Sequence, residues 1–220
     1  NVYIKSKNSI YSLFKQNFSF ALIILSYMIY SSAELYMLSF TNQNYATGIY
    51  SIAIRLALIS NLILQTVNSI IAPKITNLYF TNSFKKFEKM ILTISRGLLA
   101  ISLFFLSLFV IFGKKILHLW GSDFVDGYHV LIILSLAQVI NLCTGPSGQL
   151  LTLCGQQKSQ MFLAISLIPV SILVSYFFVI NFGLLGAAYA GASVIIIDNI
   201  VRVYIIYKKI GINYIKIFKI

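Results

Sequence analysis

MILTISRGLLAISLFFLSLFVIF, residues 90–112, holds a single charge, Arg96, in a run otherwise made of apolar residues, small hydroxyls and one glycine. Crossing the hydrocarbon of a bilayer takes roughly 20 such residues at ~1.5 Å rise each, so this run is long enough to span it. Further stretches read the same way near 18–40, 47–72, 128–153, 160–180 and 184–207. Hydrophobic residues make up 59% of the 220 and charged ones 10%, and the mean hydropathy is +0.87. A water-soluble domain of this length needs a polar coat that this sequence lacks. The expected fold is all-α: a polytopic transmembrane helix bundle of about six spans, forming one transmembrane domain over residues 1–220.

A formal net charge of +12 would suggest nucleic acid in a soluble protein. Here the placement of the charge argues otherwise, and no nucleic-acid partner is expected. Lys5, Lys7 and Lys15 precede the first stretch, and Lys74, Lys85, Lys86 and Lys89 follow the second. Lys158 follows the fourth, and Lys208, Lys209, Lys216 and Lys219 follow the sixth. The alternate connections at 41–46 and 181–183 carry no basic residue, and Lys114 and Lys115 are opposed by Asp123 and Asp126. Basic residues concentrated in alternate loops are the positive-inside signal, which puts both termini in the cytoplasm. The positive charge then reports topology and contact with anionic lipid headgroups of the bilayer.

Cys143 and Cys154, the two cysteines, lie ~16 Å apart along one predicted helix, too far for a disulfide, and read as small buried apolar residues. No short apolar segment with a small-residue cleavage site opens the chain, so no removable signal peptide is expected, and a start at Asn1 reads as a fragment. The segment 74–89 mixes lysines with Ile75, Leu78, Phe80, Phe84 and Phe87, a pattern suited to the membrane interface. Trp120, between the third and fourth stretches, fits the water–lipid boundary. No loop is long enough to hold a soluble domain, so the work is expected inside the membrane.

Polar residues within the spans are therefore the informative ones. Glu34 and Arg55 lie at similar depth on helices joined by the turn at 41–46, and are expected to pair. Such a pair either fixes helix register or contacts substrate in a hydrated cavity. Ser51, Arg55, Asn61, Gln65 and Asn68 fall within an arc of roughly 140° on the second span. Gln138, Asn141, Gly145, Gln149 and Thr152 fall within about 80° on the fourth. Amides in such stripes either tie helices together or line water. Two stripes favour one shared cavity, with Glu34, Arg55, Gln65, Asn68, Gln138 and Asn141 as its substrate-binding residues. Gly145-Pro146 interrupts the fourth span, where proline removes a backbone donor and kinks the helix. Asp198 and Arg202, at i and i+4, read as a surface pair with Arg202 snorkelling to the interface. Gly186/Ala190 and Ala187/Gly191 form a close-packing face.

Catalytic signatures are missing. His118 and Asp123 match an H-x4-D spacing found in glycerolipid acyltransferases, but the loop is short and expected outside. No metal cluster, phosphate-cradling glycine loop with lysine, or Ser-His-acid set is visible, so neither an enzyme nor a cofactor is expected.

Taken in order, NYATGIYSIAIRL (44–56), WGSDFVDGYHVLIIL (120–134), QVINLCTGPSGQLLTLCGQQK (138–158) and NFGLLGAAYAG (181–191) resemble the C-terminal half of bacterial polysaccharide and O-antigen repeat-unit flippases. These belong to the multidrug/oligosaccharidyl-lipid/polysaccharide exporter superfamily. The resemblance rests on the turn, glycine and tyrosine leading into the second span, the G-x-x-F loop before the fourth, and the G-x-x-G-A-A start of the last. It implies about twelve helices in two lobes that rock about a central cavity. This chain would be the second lobe, and an N-terminal six-helix half would be its partner. The implied substrate is an undecaprenyl-diphosphate-linked oligosaccharide crossing the bacterial inner membrane for O-antigen or capsule synthesis. Lacking the first six helices, the chain alone is not expected to transport. The site residues above come from the helix faces and not from the resemblance.

A lipid-linked oligosaccharide flippase is thus the leading expectation. A cation-coupled multidrug exporter of the same fold is the first alternative, and a non-transporting scaffold in a glycan assembly complex is the second. A net basic cavity suits diphosphate, and a net acidic one suits cations.

Overall fold

The computed structural model describes residues 7–41 and 43–218. Asn1, which enters the fragment reading, and Lys5, Asn42 and Lys219, which enter the orientation reading, lie outside the described residues. The described chain is all-helical: α1 (Lys7–Tyr30), α2 (Ala33–Phe40), α3 (Asn44–Ala57), α4 (Ile59–Phe80), α5 (Phe84–His118), α6 (Tyr128–Cys143), α7 (Ser147–Leu153) and α8 (Gln157–Ile210). Short 3-10 turns cover Ser122–Gly127 and Tyr214–Phe218.

Three helical segments, Phe84–His118, Ser122–Leu153 and Gln157–Ile210, are long and apolar enough to cross a membrane. Two more spans arise if α1 with α2, bent by 42°, and α3 with α4, bent by 41°, are each counted as one. The stretches at 18–40 and 47–72 are therefore broken helices. At the first break, Ser31 and Ser32 are residues whose hydroxyls compete for backbone hydrogen bonds and weaken a helix interior. Leu58, at the second, keeps near-helical angles (φ −75°, ψ −7°), and no Pro or Gly adjoins it. Ser60 Oγ donates to the Ala57 carbonyl at 3.2 Å there, a side-chain hydroxyl on a backbone acceptor at the break.

Other boundaries move for local reasons. Pro73 sits inside α4, which runs on to Phe80, so the segment 74–89 is the end of one helix and the start of the next. The fourth stretch does break where Gly145-Pro146 stands. Gly145 takes the left-handed φ of +58°, and a Cβ there would collide with Ser95 Oγ. Glycine serves this position on both counts.

α8 contains 54 residues, ~81 Å if straight, against a hydrocarbon core of roughly 30 Å. It does not run straight. Gly183 leaves helical geometry (φ 55°, ψ −127°), and a Cβ on Gly186 would collide with the Phe178 carbonyl. In a continuous helix, residues eight apart stand ~12 Å apart along the axis. The two legs of α8 are thus turned back toward each other at Gly183.

The connections sort into two ends. At one, Tyr45 donates to Asp126 Oδ2 at 3.0 Å, and a Cβ on Gly183 would lie 3.4 Å from Gln43 Oε1. This gathers the turns at 41–46, 113–127 and 181–183. At the other end Lys216 pairs with Glu88 at 2.7 Å, and Lys209 donates to Ser159 Oγ at 2.7 Å. The lysine-bearing connections therefore meet in space. The two larger apolar clusters of the bundle gather around Leu38, Tyr50, Phe109, Leu131 and Ala187, and around Ile75, Phe87, Ile91, Leu150 and Ile206; smaller ones surround Leu163 and Leu98. Ile24, Met28, Phe104, Ile111, Leu173 and Phe177 point outward, as lipid-facing residues do.

Candidate functional site

Both bent pairs bend around the same space. A cavity of about 300 Å³ is lined by Tyr30, Ser31, Ser32 and Glu34 at the α1–α2 break, and by Ala57, Leu58 and Asn61 at the α3–α4 break. Leu134, Gln138 and Asn141 of α6 close one side. Gly191, Asp198, Asn199 and Arg202, from the second leg of α8, close another.

Its polar groups form two networks. Arg202 Nη2 meets Asp198 Oδ2 at 2.8 Å, and Tyr30 OH donates to the same oxygen at 3.0 Å across 168 residues of sequence. In the second, Asn141 Nδ2 donates to Gln138 Oε1 at 3.0 Å, and Asn199 Nδ2 donates to Asn141 Oδ1 at 3.2 Å. Thr144 Oγ1 donates to Asn199 Oδ1 at 2.6 Å. The Asp198 and Arg202 side chains keep only 7% and 13% of their exposure. This corrects the surface-pair expectation: Arg202 turns inward to Tyr30 and Asp198.

Four buried polar atoms in this region have no hydrogen-bond partner: Glu34 Oε2, Tyr50 OH, Asp198 Oδ1 and Arg202 Nε. Buried groups of this kind are normally satisfied, and here their residues all line the cavity. Glu34 is 3% exposed. A Cβ on Gly191 would stand 2.9 Å from Tyr50 OH and 3.0 Å from Glu34 Oε1, so the missing side chain at 191 makes room for both. Two carboxylates face one guanidinium, and the cavity is formally acidic.

Of the residues expected to share one cavity, Glu34, Gln138 and Asn141 do so. Arg55, Gln65 and Asn68 do not line it. Arg55 and Gln65 are exposed on the outer face of α3 and α4, and Asn68 is half-buried with its Oδ1 unpartnered. Glu34 and Arg55 form no ion pair; among the described residues the two ion pairs are Asp198–Arg202 and Glu88–Lys216. The inner face of α3 is Ile54 and Ala57, and Arg55 lies ~100° around the helix from Ile54. One expected cavity is thus two polar regions, one enclosed and one facing out.

Tyr30, Tyr50, Asn199 and the inward sense of Arg202 were missed. Asn199 beside Asp198 in an apolar run was a usable signal; nothing in the sequence singles out the tyrosines among 14. No group of three or more His, Cys, Asp or Glu capable of holding a metal occurs among the described residues. Comparison with protein-family models, with curated proteins and with solved structures finds no match to this chain.

Proposed function

We propose that this chain is one lobe of a membrane transporter that moves an undecaprenyl-diphosphate-linked oligosaccharide across the bacterial inner membrane, for O-antigen or capsular polysaccharide synthesis. This reading takes the two legs of α8, which part at Gly183, as separate spans, and puts the lysine-rich end and both termini in the cytoplasm. The observation that carries the reading is the outward polar stripe. Arg55 and Gln65 are exposed on a bent helix pair apolar enough to span the membrane, among exposed Leu62 and Ile70, while the Thr66 and Ser69 hydroxyls donate to carbonyls of their own helix. Hydrocarbon cannot solvate a guanidinium or an amide, so such a face belongs against water or another protein. A second lobe opposite it would complete a hydrated path. A sugar chain needs that path because its hydroxyls lose their hydrogen bonds in lipid. Gln65 offers donors and acceptors to those hydroxyls, and Arg55 offers a planar fork to phosphate oxygens.

The test is glycan export in cells that depend on the protein. Arg55→Ala should abolish export, and Arg55→Lys, which keeps charge but not the fork, should reduce it in part. Full export by Arg55→Ala would defeat the reading. If Gln65→Ala and Glu34→Gln also left export intact, the scaffold reading would take its place.

The acidic inner cavity favours a second reading, a cation-coupled exporter of the same fold. Its discriminating variant is Glu34→Gln. Loss of cation dependence with Arg55→Ala still active would favour this reading over the first.

A further inference from the structure

At the lysine-rich end, α8 stops at Gly211, whose left-handed φ of 86° lets its N–H return to the Ile206 and Tyr207 carbonyls. The chain then folds back over α5. Arg96 donates from Nε to the Ile217 carbonyl at 2.9 Å and from Nη2 to the Lys216 carbonyl at 3.0 Å. Lys216 Nζ reaches Glu88 at 2.7 Å. Ile212, Tyr214 and Ile217 are buried in one cluster with Ile75 of α4, Phe87 and Ile91 of α5, and Leu150 and Leu151 of α7. Arg96 and the Lys216–Glu88 pair thus pin a strap, residues 212–218, onto α5, with its apolar side chains in the shared cluster.

α7 contributes to the same cluster. α7 is seven residues long and sits between two left-handed glycines, Gly145 (φ +58°) and Gly155 (φ +76°). Such positions are natural pivots. At the first turn of α7, a Cβ on Gly148 would lie 3.6 Å from the Arg202 guanidinium, so the segment abuts the cavity. Leu150 and Leu151 share their cluster with Ile212, Tyr214 and Ile217, so loosening the strap loosens the packing around them. The strap itself carries a flaw: Tyr214 OH is buried with no hydrogen-bond partner. An unsatisfied buried hydroxyl weakens the seat of the segment that holds it.

We propose that α7 is a hinge-bounded gate between the inner cavity and the lysine-rich end, and that the C-terminal strap is its lock. Lifting the strap frees Leu150 and Leu151, lets α7 pivot on its two glycines, and draws Gly148 away from Arg202. This is independent of which solute the lobe carries.

Cys154, buried at the end of α7 and packed in the same cluster, is a built-in reporter. With Cys143→Ser, it is the sole thiol among these 220 residues. In lipid nanodiscs, N-ethylmaleimide should label it slowly. Arg96→Ala removes two charge-assisted hydrogen bonds and should speed labelling by about tenfold or more. Glu88→Gln loses only the ion pair and should speed it by a few-fold. Tyr214→Phe removes the orphaned hydroxyl and should slow it. Backbone hydrogen exchange in Arg96→Ala should rise over 145–155, 199–202 and 212–218, with 98–118 and 128–142 unchanged. The lock is overturned if Arg96→Ala and Glu88→Gln both leave the labelling rate unaltered, or if Tyr214→Phe speeds it. Exchange rising evenly along the whole chain would also overturn it, since the strap would then be only one more piece of the core.

Discussion

The inner cavity and the outward face each hold one arginine with amide side chains near it, and the bundle treats them in opposite ways. Arg202 is sealed among α1, α7 and α8 and held by Asp198 and Tyr30. Arg55 stands exposed on α3 with no ion pair. A buried charge needs its counter-charge, because desolvation without one is costly. A charge at a hydrated surface is stable alone, and stays free to meet a ligand. The contrast therefore separates polar groups that organise the lobe from polar groups open to a substrate.

The strongest way to break that contrast is to unpair Arg202. Asp198→Ala should cost roughly 3–5 kcal/mol, since it strands a buried guanidinium. Asp198→Leu combined with Arg202→Leu should cost clearly less than the single change. Denaturant titration in detergent reads both, and a double variant as damaged as the single one would remove the pairing account. Gly191→Ala comes next, at roughly 1–3 kcal/mol, because the new methyl presses on Tyr50 OH and Glu34. A neutral result in the same titration would mean those two side chains yield freely into the cavity.

Breaking the amide network should do less. Thr144→Val takes the donor from Asn199 Oδ1 and should cost roughly 1–2 kcal/mol of stability. The smallest effect belongs to the stripe. Arg55→Ala and Gln65→Ala should each stay within about 0.5 kcal/mol of the parent, as surface changes do. A Glu34→Gln/Arg55→Ala cycle should show no coupling beyond about 0.5 kcal/mol, as for groups that share no contact. A large coupling would mean that the two residues meet in another conformation.

Composition alone settled the class. A chain this apolar folds as an all-helical bundle with several helices long and apolar enough to cross a membrane. Most of its lysines fall in alternate connections, and Lys216–Glu88 and Lys209–Ser159 meet at one end. Gly145-Pro146 announced its break, because glycine and proline act on the backbone locally whatever surrounds them. The bends at Ser31-Ser32 and Leu58 were not announced, although serines stand at both, Ser60 donating to the Ala57 carbonyl at the second. Helical periodicity gives the angle between Arg55 and Asn61, but not which of them points at the neighbouring helix. That choice put Ile54, Ala57 and Asn61 inside and Arg55 outside. It was made when α3 packed on α6 and α8. Asp198 and Arg202 were legible as a pair, yet their burial depended on Tyr30, 168 residues earlier in the chain. Spacing along one helix is written in the sequence, whereas the direction a face points is a property of the whole bundle, since only the neighbours decide which side is removed from its surroundings.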